Sequence, residues 1–462
     1  MLSRRQIMMN GAASLAGAAL LDRIAQAQQT QPAAAAAVPA AGARAPARGY
    51  LPVVTPDGST APFKLVDGVK VFHLVAGPCK REFAPGLVVD CWGYNGQTPG
   101  PTIELVEGDR VRIYVTNNLP EATTVHWHGM LLPCGMDGVA GLTQKPIPPG
   151  QTWKYEFDVR GQTGTLMYHP HFDEMTQLAM GMMGLIVIHP KEPTGEPVDR
   201  DYALMLGEWH IPAGATKPNT LTMNEFNVLT INSKSFPGTS PLVARRGERV
   251  RIRIGNLGPM DHHPIHLHGY QFEVTGTEAG PIPPAARHKV TTVLVPVGTT
   301  RDIEFVADAA GDWAMHCHMT HHMMNQMGHD FPNMLGAKTD GLDERVQKLL
   351  PEYMTMGTQG MGDMHQMRQP KNTIAMVGGR GPFSNIDMGG MFTILKVRDE
   401  VDAGTAAGWF QHPPGTVVGP ASADDLAALR ALGLRTQQPV PTGAPGGQPT
   451  SPAEHPQSGH KH

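Results

Sequence analysis

Val106–Leu119, VEGDRVRIYVTNNL, and Ala244–Gly258, ARRGERVRIRIGNLG, are two versions of one segment: a Gly-acid-Arg turn leading into an alternating strand, with Val111 equivalent to Val250. Alternation with period two sends one set of side chains to a buried face and the other to water, the pattern of a half-buried strand. The likeness continues downstream in the same order and at nearly the same spacing. His126-Trp127-His128-Gly129 is matched by His266-Leu267-His268-Gly269, and GTLMYHPH from Gly164 is matched by GDWAMHCH from Gly311. A repeat of about 140 residues, rich in turns and without a long amphipathic run, predicts an all-β protein with two copies of one Greek-key β-sandwich domain. The copies are placed at 50–198 and 199–398.

Composition agrees with many short strands. The 462 residues include 53 Gly and 42 Pro, and only 17% are charged. With 37 Lys+Arg against 41 Asp+Glu the net charge is -4, so no basic field exists to hold a polyphosphate backbone, and nucleic acid is not expected as a partner. Four cysteines are too few for a disulfide scaffold, whereas 22 His and 27 Met are abundant nitrogen and soft sulfur donors.

The first residues carry an arginine pair, Arg4-Arg5, then the small apolar run Gly11–Leu21 and the small-x-small site Ala25-Gln26-Ala27. Residues 1–27 resemble a twin-arginine signal peptide, which implies a periplasmic or secreted protein that tolerates disulfides. The run is too short to cross a bilayer, and no later stretch reaches about 18 apolar residues, so no membrane span is expected. Residues 28–49, rich in Ala, Pro and Gln, read as a low-complexity linker. Beyond Val397 the periodicity is lost, and 399–462 read as a largely flexible extension. Within it, Ser422 and Asp425 are spaced as the capping box of a short helix, and the tail histidines His455, His460 and His462 read as solvated.

Four histidine clusters point to metal chemistry: His126-x-His128, His169-x-His171, His263-Pro-Ile-His266-Leu-His268, and His316-Cys317-His318 with His322 and Met327. On a strand, residues i and i+2 share a face, so each His-x-His directs two imidazoles the same way. One such pair is weak as a signal; several at matched points of a duplication are not coincidence. Cys317, His322, Met327 and a second histidine, His263, make up thiolate, imidazole and thioether, the donor set of a blue-copper electron-transfer site. Eight histidines then remain in four pairs.

At these motifs, HWHG, HPH, HPIHLHG and HCHMTHH with a following Met, the chain resembles the multicopper oxidases over roughly residues 66–397. The resemblance implies cupredoxin-like domains and four coppers per chain. It assigns His263, Cys317, His322 and Met327 to a type 1 copper and His126 and His266 to a type 2 copper. His128, His169, His171, His268, His316 and His318 are assigned to a type 3 pair. Cys317 is covalently flanked by His316 and His318, so an electron reaching its sulfur has a short through-bond route to both. His171 and His263 are too close in sequence for the middle domain of three-domain laccases. Pro170 stands where the second copy has Cys317, and Leu178 is placed opposite His322, so the type 1 site of the first copy is vacant. This pattern resembles two-domain, small-laccase-like oxidases, in which trinuclear centres form between neighbouring subunits of a homotrimer.

The implied activity is one-electron oxidation of a small reductant coupled to reduction of dioxygen to water. Asp137, in GMDG after HWHG, matches the family's proton-relay acid, although an Asp-Gly turn is its plainer reading. Met323 stands where some relatives carry a second acid; Asp173 or Glu174 is the substitute. Met388, before the closing strand Gly390–Val397, competes with Met327 as axial ligand. Residues 329–387 read as an insertion beside the type 1 site, and Met354, Met356, Met361, Met364 and Met367 in it suit cuprous ion or, equally, packing. Cuprous ion, with a role in copper tolerance, and phenols are therefore the two reductant classes. A copper nitrite reductase and a non-enzymatic copper carrier are the alternatives. Cys79, Cys91 and Cys134 lack metal spacing, and the pairing of any disulfide among them is open.

Overall fold

The computed structural model describes residues 50–325 and 371–433 apart from 193–194, 213, 223–225, 375–377 and 403, and adds Arg345, Lys348 and Leu349. Met327 and the five methionines Met354–Met367 lie outside the described residues, as do the signal segment and linker.

In the first sandwich, one sheet holds β1 (Phe63–Val66), β2 (Val69–Ala84), β3 (Leu87–Tyr94), β5 (Arg110–Asn117) and β7 (Thr152–Asp158). Facing it are β4 (Ile103–Val106), β9 (Gly184–His189), β8 (Gly164–His169) and β6 (His126–His128). In the second sandwich, β10 (Arg200–Trp209), β11 (Val228–Ile231), β13 (Arg249–Asn256), β15 (Phe272–Thr277), β16 (Gly280–Pro281), β17 (Lys289–Val290) and β19 (Thr299–Val306) form one sheet. The other sheet is β12 (Leu242–Arg245), β21 (Phe392–Arg398), β20 (Gly311–Cys317), β14 (His263–Leu267) and β18 (Thr292–Val295).

The duplication read from the sequence recurs in the pairing. β2 runs parallel to β5, which is antiparallel to β7, as β10 runs parallel to β13 and β13 antiparallel to β19. Likewise β4, β9, β8 and β6 pair in the order and directions of β12, β21, β20 and β14. Val111 and Val250 are both fully buried in the cores of their sandwiches. At the ends of β5 and β13 stand Asn117 and Asn256, both fully buried. Asn117 donates to the carbonyls of Glu121 and Ile147, and Asn256 to those of Asp261 and Val295. Each asparagine thereby shapes the loop that enters a histidine strand, because a buried amide must find partners wherever the chain can supply them.

Val53, Met167, Met183, Leu185, Ala203 and Met205 form an apolar cluster joining β8, β9 and β10. Beside it Arg253 grips Asp201 through two hydrogen bonds of 2.8 and 2.9 Å and reaches Asp302 at 3.2 Å, and all three are buried. The described residues up to Phe410 form one compact unit. In the second unit, α2 (Ala423–Ala431) starts at Ser422, whose hydroxyl accepts from Asp425 N while the Asp425 carboxylate accepts from Ser422 N. No helix among the described residues is long and apolar enough to cross a membrane.

Candidate metal centre

β6 and β8 bring the first histidine group together, with His126 directly opposite His169. The donor atoms of His126, His128 and His169 lie within 4.8 Å of one another. The ring centroid of His171 lies 5.7 Å from that of His126. Backbone carbonyls set the rings: His126 Nδ1 donates to Asp137 O at 2.7 Å and His169 Nδ1 to Pro170 O at 2.8 Å, leaving each Nε2 with a free lone pair. His128 Nδ1 is 3.3 Å from His169 Nε2. Burial pushes His169 down to about 3, so the ring is neutral and competent as a ligand at ordinary pH. The group borders a cavity of about 490 Å³ that is also lined by Leu257–Pro259 and Val297–Gly298.

The second group repeats this arrangement on β14 and β20, with His266 opposite His316. His266 Nδ1 donates to Thr291 O at 2.7 Å and His316 Nδ1 to Cys317 O at 2.9 Å, the counterpart of the His169–Pro170 contact. His268 Nε2 is 3.2 Å from His316 Nε2, and the His318 ring lies 5.6 Å from those of His266 and His316. His268 and His318 are exposed. Among the described residues, no hydrogen bond or ring contact joins a histidine of one group to a histidine of the other.

A third group is buried in the second sandwich. Cys317 Sγ lies 3.5 Å from His322 Nδ1 and 3.8 Å from His263 Nδ1, and the two nitrogens are 3.1 Å apart. Two nitrogens and a sulfur converge in a buried place while each ring turns its other nitrogen to a carboxylate, an arrangement that suits a bound cation. Burial pushes His263 down to about 3 and the Cys317 thiol up to about 12, so the sulfur needs a bound cation to be a thiolate at neutral pH. This donor set fits copper.

Two carboxylates that the sequence reading missed orient this group. Glu208, the last residue but one of β10, is buried, and its Oε1 accepts from His263 Nε2 at 3.0 Å. The amides of Asp261 and Met260 also donate to it, at 3.1 and 3.4 Å. Burial raises Glu208 to about 8 and lowers His263, favouring the neutral form of each. Asp261 Oδ2 lies 3.3 Å from His322 Nε2, and that hydrogen bond leads the causes lowering its carboxyl. Asp261 stands two residues before His263 and was readable as a neighbour; Glu208 gave only the weaker signal of a carboxylate near the end of a largely apolar strand.

The equivalent place in the first sandwich has no such donors. Thr123 stands three residues before His126, as His263 does before His266, and its hydroxyl donates at 2.7 Å to the buried Gln177 of α1 (Glu174–Ala179). Gln177, rather than the Leu178 placed there by sequence alignment, thus faces the His263 equivalent. The helix turns the amide inward, and Leu178 packs against the apolar cluster that contains Met183 and Leu185. Asp137 Oδ1 is 3.5 Å from His126 Nδ1. Glu174 lies 3.3 Å from His169 Nδ1 and 3.9 Å from His171 Nε2, so of the two acids considered, Glu174 faces the histidines. Met388 packs with Phe236, Phe392 and Ile394. Met327 lies outside the described residues.

Paired β-sandwiches with a buried His-Cys-His group beside strand-borne histidine pairs define a copper protein of cupredoxin-like build. Two multicopper oxidase family models match residues 79–193 and 211–335, together more than half of the chain. Laccase-19 of Oryza sativa subsp. japonica is 32% identical over 233 residues, covering 46% of this chain and 38% of that protein. The chain therefore spans about two fifths of the length of such curated relatives. The blue copper oxidase from Nitrosomonas europaea is similar in structure, with a TM-score of 0.53, 26% identity, and coverage of 71% of this chain and 85% of that one. The multicopper oxidase mgLAC gives the same TM-score, 0.53, and identity, 26%, over 72% and 88%. The chain belongs to the multicopper oxidase family.

Proposed function

We propose that the protein is an exported copper oxidase that withdraws electrons singly from a small reductant and passes them to dioxygen. The observation that carries this reading is β20, where consecutive residues serve two groups: Cys317 Sγ faces His263 and His322, while the His316 ring faces His268. Copper bound to these groups would supply one-electron exchange at Cys317 and four-electron reduction of dioxygen to water among the histidines.

On this reading His263, Cys317, His322 and Met327 hold type 1 copper. His126 and His266 hold type 2, and His128, His169, His171, His268, His316 and His318 hold the type 3 pair, four coppers per chain. The residues around them do the orienting: Glu208 for His263, Asp261 for His322, the Asp137 and Thr291 carbonyls for His126 and His266. The Asp137 carboxylate, 3.5 Å from His126, is placed to hold a proton for oxygen reduction. Among the described residues no hydrogen bond or ring contact joins the two histidine groups, each of which offers half a site, and His268 and His318 are exposed. That separation supports their union between subunits, and the homotrimer is proposed from the resemblance to small-laccase-like oxidases. Export rests on Arg4-Arg5, Gly11–Leu21 and Ala25-Gln26-Ala27.

The test is oxygen uptake by the copper-loaded protein with Cu(I) and, separately, a phenolic dye, for the full chain and a chain lacking residues 340–380. Uptake that needs Cys317, four coppers per chain and a hydrodynamic mass near three chains is expected. A fully active monomer, or a Cys317→Ser variant that keeps its blue band, refutes the assignment. Selective loss of Cu(I) turnover in the shortened chain identifies the reductant as cuprous ion and supports a role in copper tolerance. Strong dye oxidation with Cu(I) turnover absent or unchanged identifies it as a phenol.

A further inference from the structure

Cys79 on β2 and Cys91 on β3 are directly opposed in register, on the same side of the hairpin. Both contribute to the apolar cluster that contains Phe83, Val89 and Trp209. The amides of Asp90 and Trp92 point away from β2, to the carbonyls of Thr216 and Met180. The amide of Cys91 therefore points at β2, and the two cysteines occupy a hydrogen-bonded rung of the ladder. Both are free thiols in this structure; opposed Cα atoms on such a rung stand about 5.5 Å apart, within the span of a disulfide, and closing the bond requires the Cβ atoms to draw about 1 Å nearer. Gly93, the next residue on that face, leaves room for the sulfur, since a Cβ there would lie 3.2 Å from Cys79 Sγ. Cys134 is exposed on a turn, and Cys317 faces His263 and His322, so neither competes.

We infer that Cys79 and Cys91 form a disulfide that staples the β2–β3 hairpin. In the step, both thiols give up their protons and one S–S bond forms. The two electrons reduce the disulfide of an oxidised dithiol carrier to two thiols. Burial pushes the Cys79 thiol up to about 12 and raises Cys91 as well, so exchange requires the hairpin to open and uncover its apolar face. The staple has a structural consequence at the metal centre. Phe83 at the end of β2 packs edge-on against Trp209 at 4.8 Å, and Trp209 follows Glu208, the partner of His263. Closing a loop of roughly a dozen residues raises the folded-to-unfolded ratio on the order of a hundredfold.

The test uses full-length, copper-loaded protein produced in an oxidising compartment and unfolded in excess iodoacetamide without reductant. A linked peptide pair containing Cys79 and Cys91, split by reductant, with Cys134 alkylated, is expected. Recovery of both cysteines in alkylated form overturns the inference. In urea unfolding, Cys79→Ser and Cys91→Ser should each lower the folded-to-unfolded ratio about a hundredfold, the double variant no further, and reductant should bring the unsubstituted protein to the same level. Losses that add and ignore reductant reveal ordinary packing and overturn it equally.

Discussion

Glu208 is the most sensitive lever on the buried metal group. Its carboxyl accepts from His263 Nε2 at 3.0 Å, from the Asp261 amide at 3.1 Å and from the Met260 amide at 3.4 Å, in a place closed to water. Glu208→Ala removes the acceptor for all three donors. A buried donor left unsatisfied costs about 1–3 kcal/mol. The 3.4 Å contact is weak and the losses overlap, so a destabilisation of about 3 kcal/mol is expected. Glu208→Gln keeps Oε1, and with it the two shorter contacts, and should cost about 1 kcal/mol. Urea unfolding of the apo-protein, followed by circular dichroism, gives both values. In the copper-loaded protein the blue band should broaden or shift in the alanine variant, because His263 loses the bond that sets its ring. An alanine variant that unfolds at the midpoint of the original protein, or a glutamine variant as damaged as the alanine one, refutes the reasoning.

Arg253→Met should destabilise the apo-protein by about 3–5 kcal/mol, since Asp201 and Asp302 are left as buried charges, and urea unfolding with a partial rescue by Asp302→Asn checks it. His189, whose Nε2 stands 2.8 Å from Glu104 and whose ring stacks on Tyr50 at 3.9 Å, has its pKa lowered chiefly by burial. Folded protein then binds this proton less readily than unfolded, so its contribution is complete above about pH 6.5 and is lost as pH falls toward the folded value. His189→Gln should flatten the acid limb of the apo-protein's stability curve in thermal scans between neutral and acid pH, and an unchanged limb counts against it. Asp137→Asn should slow oxygen uptake while sparing anaerobic bleaching of the blue band by reductant, and normal turnover removes Asp137 from proton delivery.

Much of this protein is local information, and that part was legible in the chain. Strand alternation around Val111 and Val250, the duplicated HWHG and HLHG segments, and the placing of Cys317 between two histidines follow from a period of two residues, which needs no knowledge of the fold. The capping box at Ser422 and Asp425 is equally local. What tertiary structure decided involves residues far apart in sequence. Glu208 meets His263 because the end of β10 and the start of β14 converge, and no spacing rule links positions 208 and 263. Gln177 rather than Leu178 faces Thr123 because a single helical turn rotates side chains by about 100° per residue, and an alignment cannot fix that rotation. The opposition of Cys79 and Cys91 is likewise a matter of hairpin register, and the separation of the two histidine groups depends on how the sandwiches pack. Periodicity and motif spacing write the elements and their donors into the sequence, whereas partners across the fold exist only once burial forces buried polar groups to find one another.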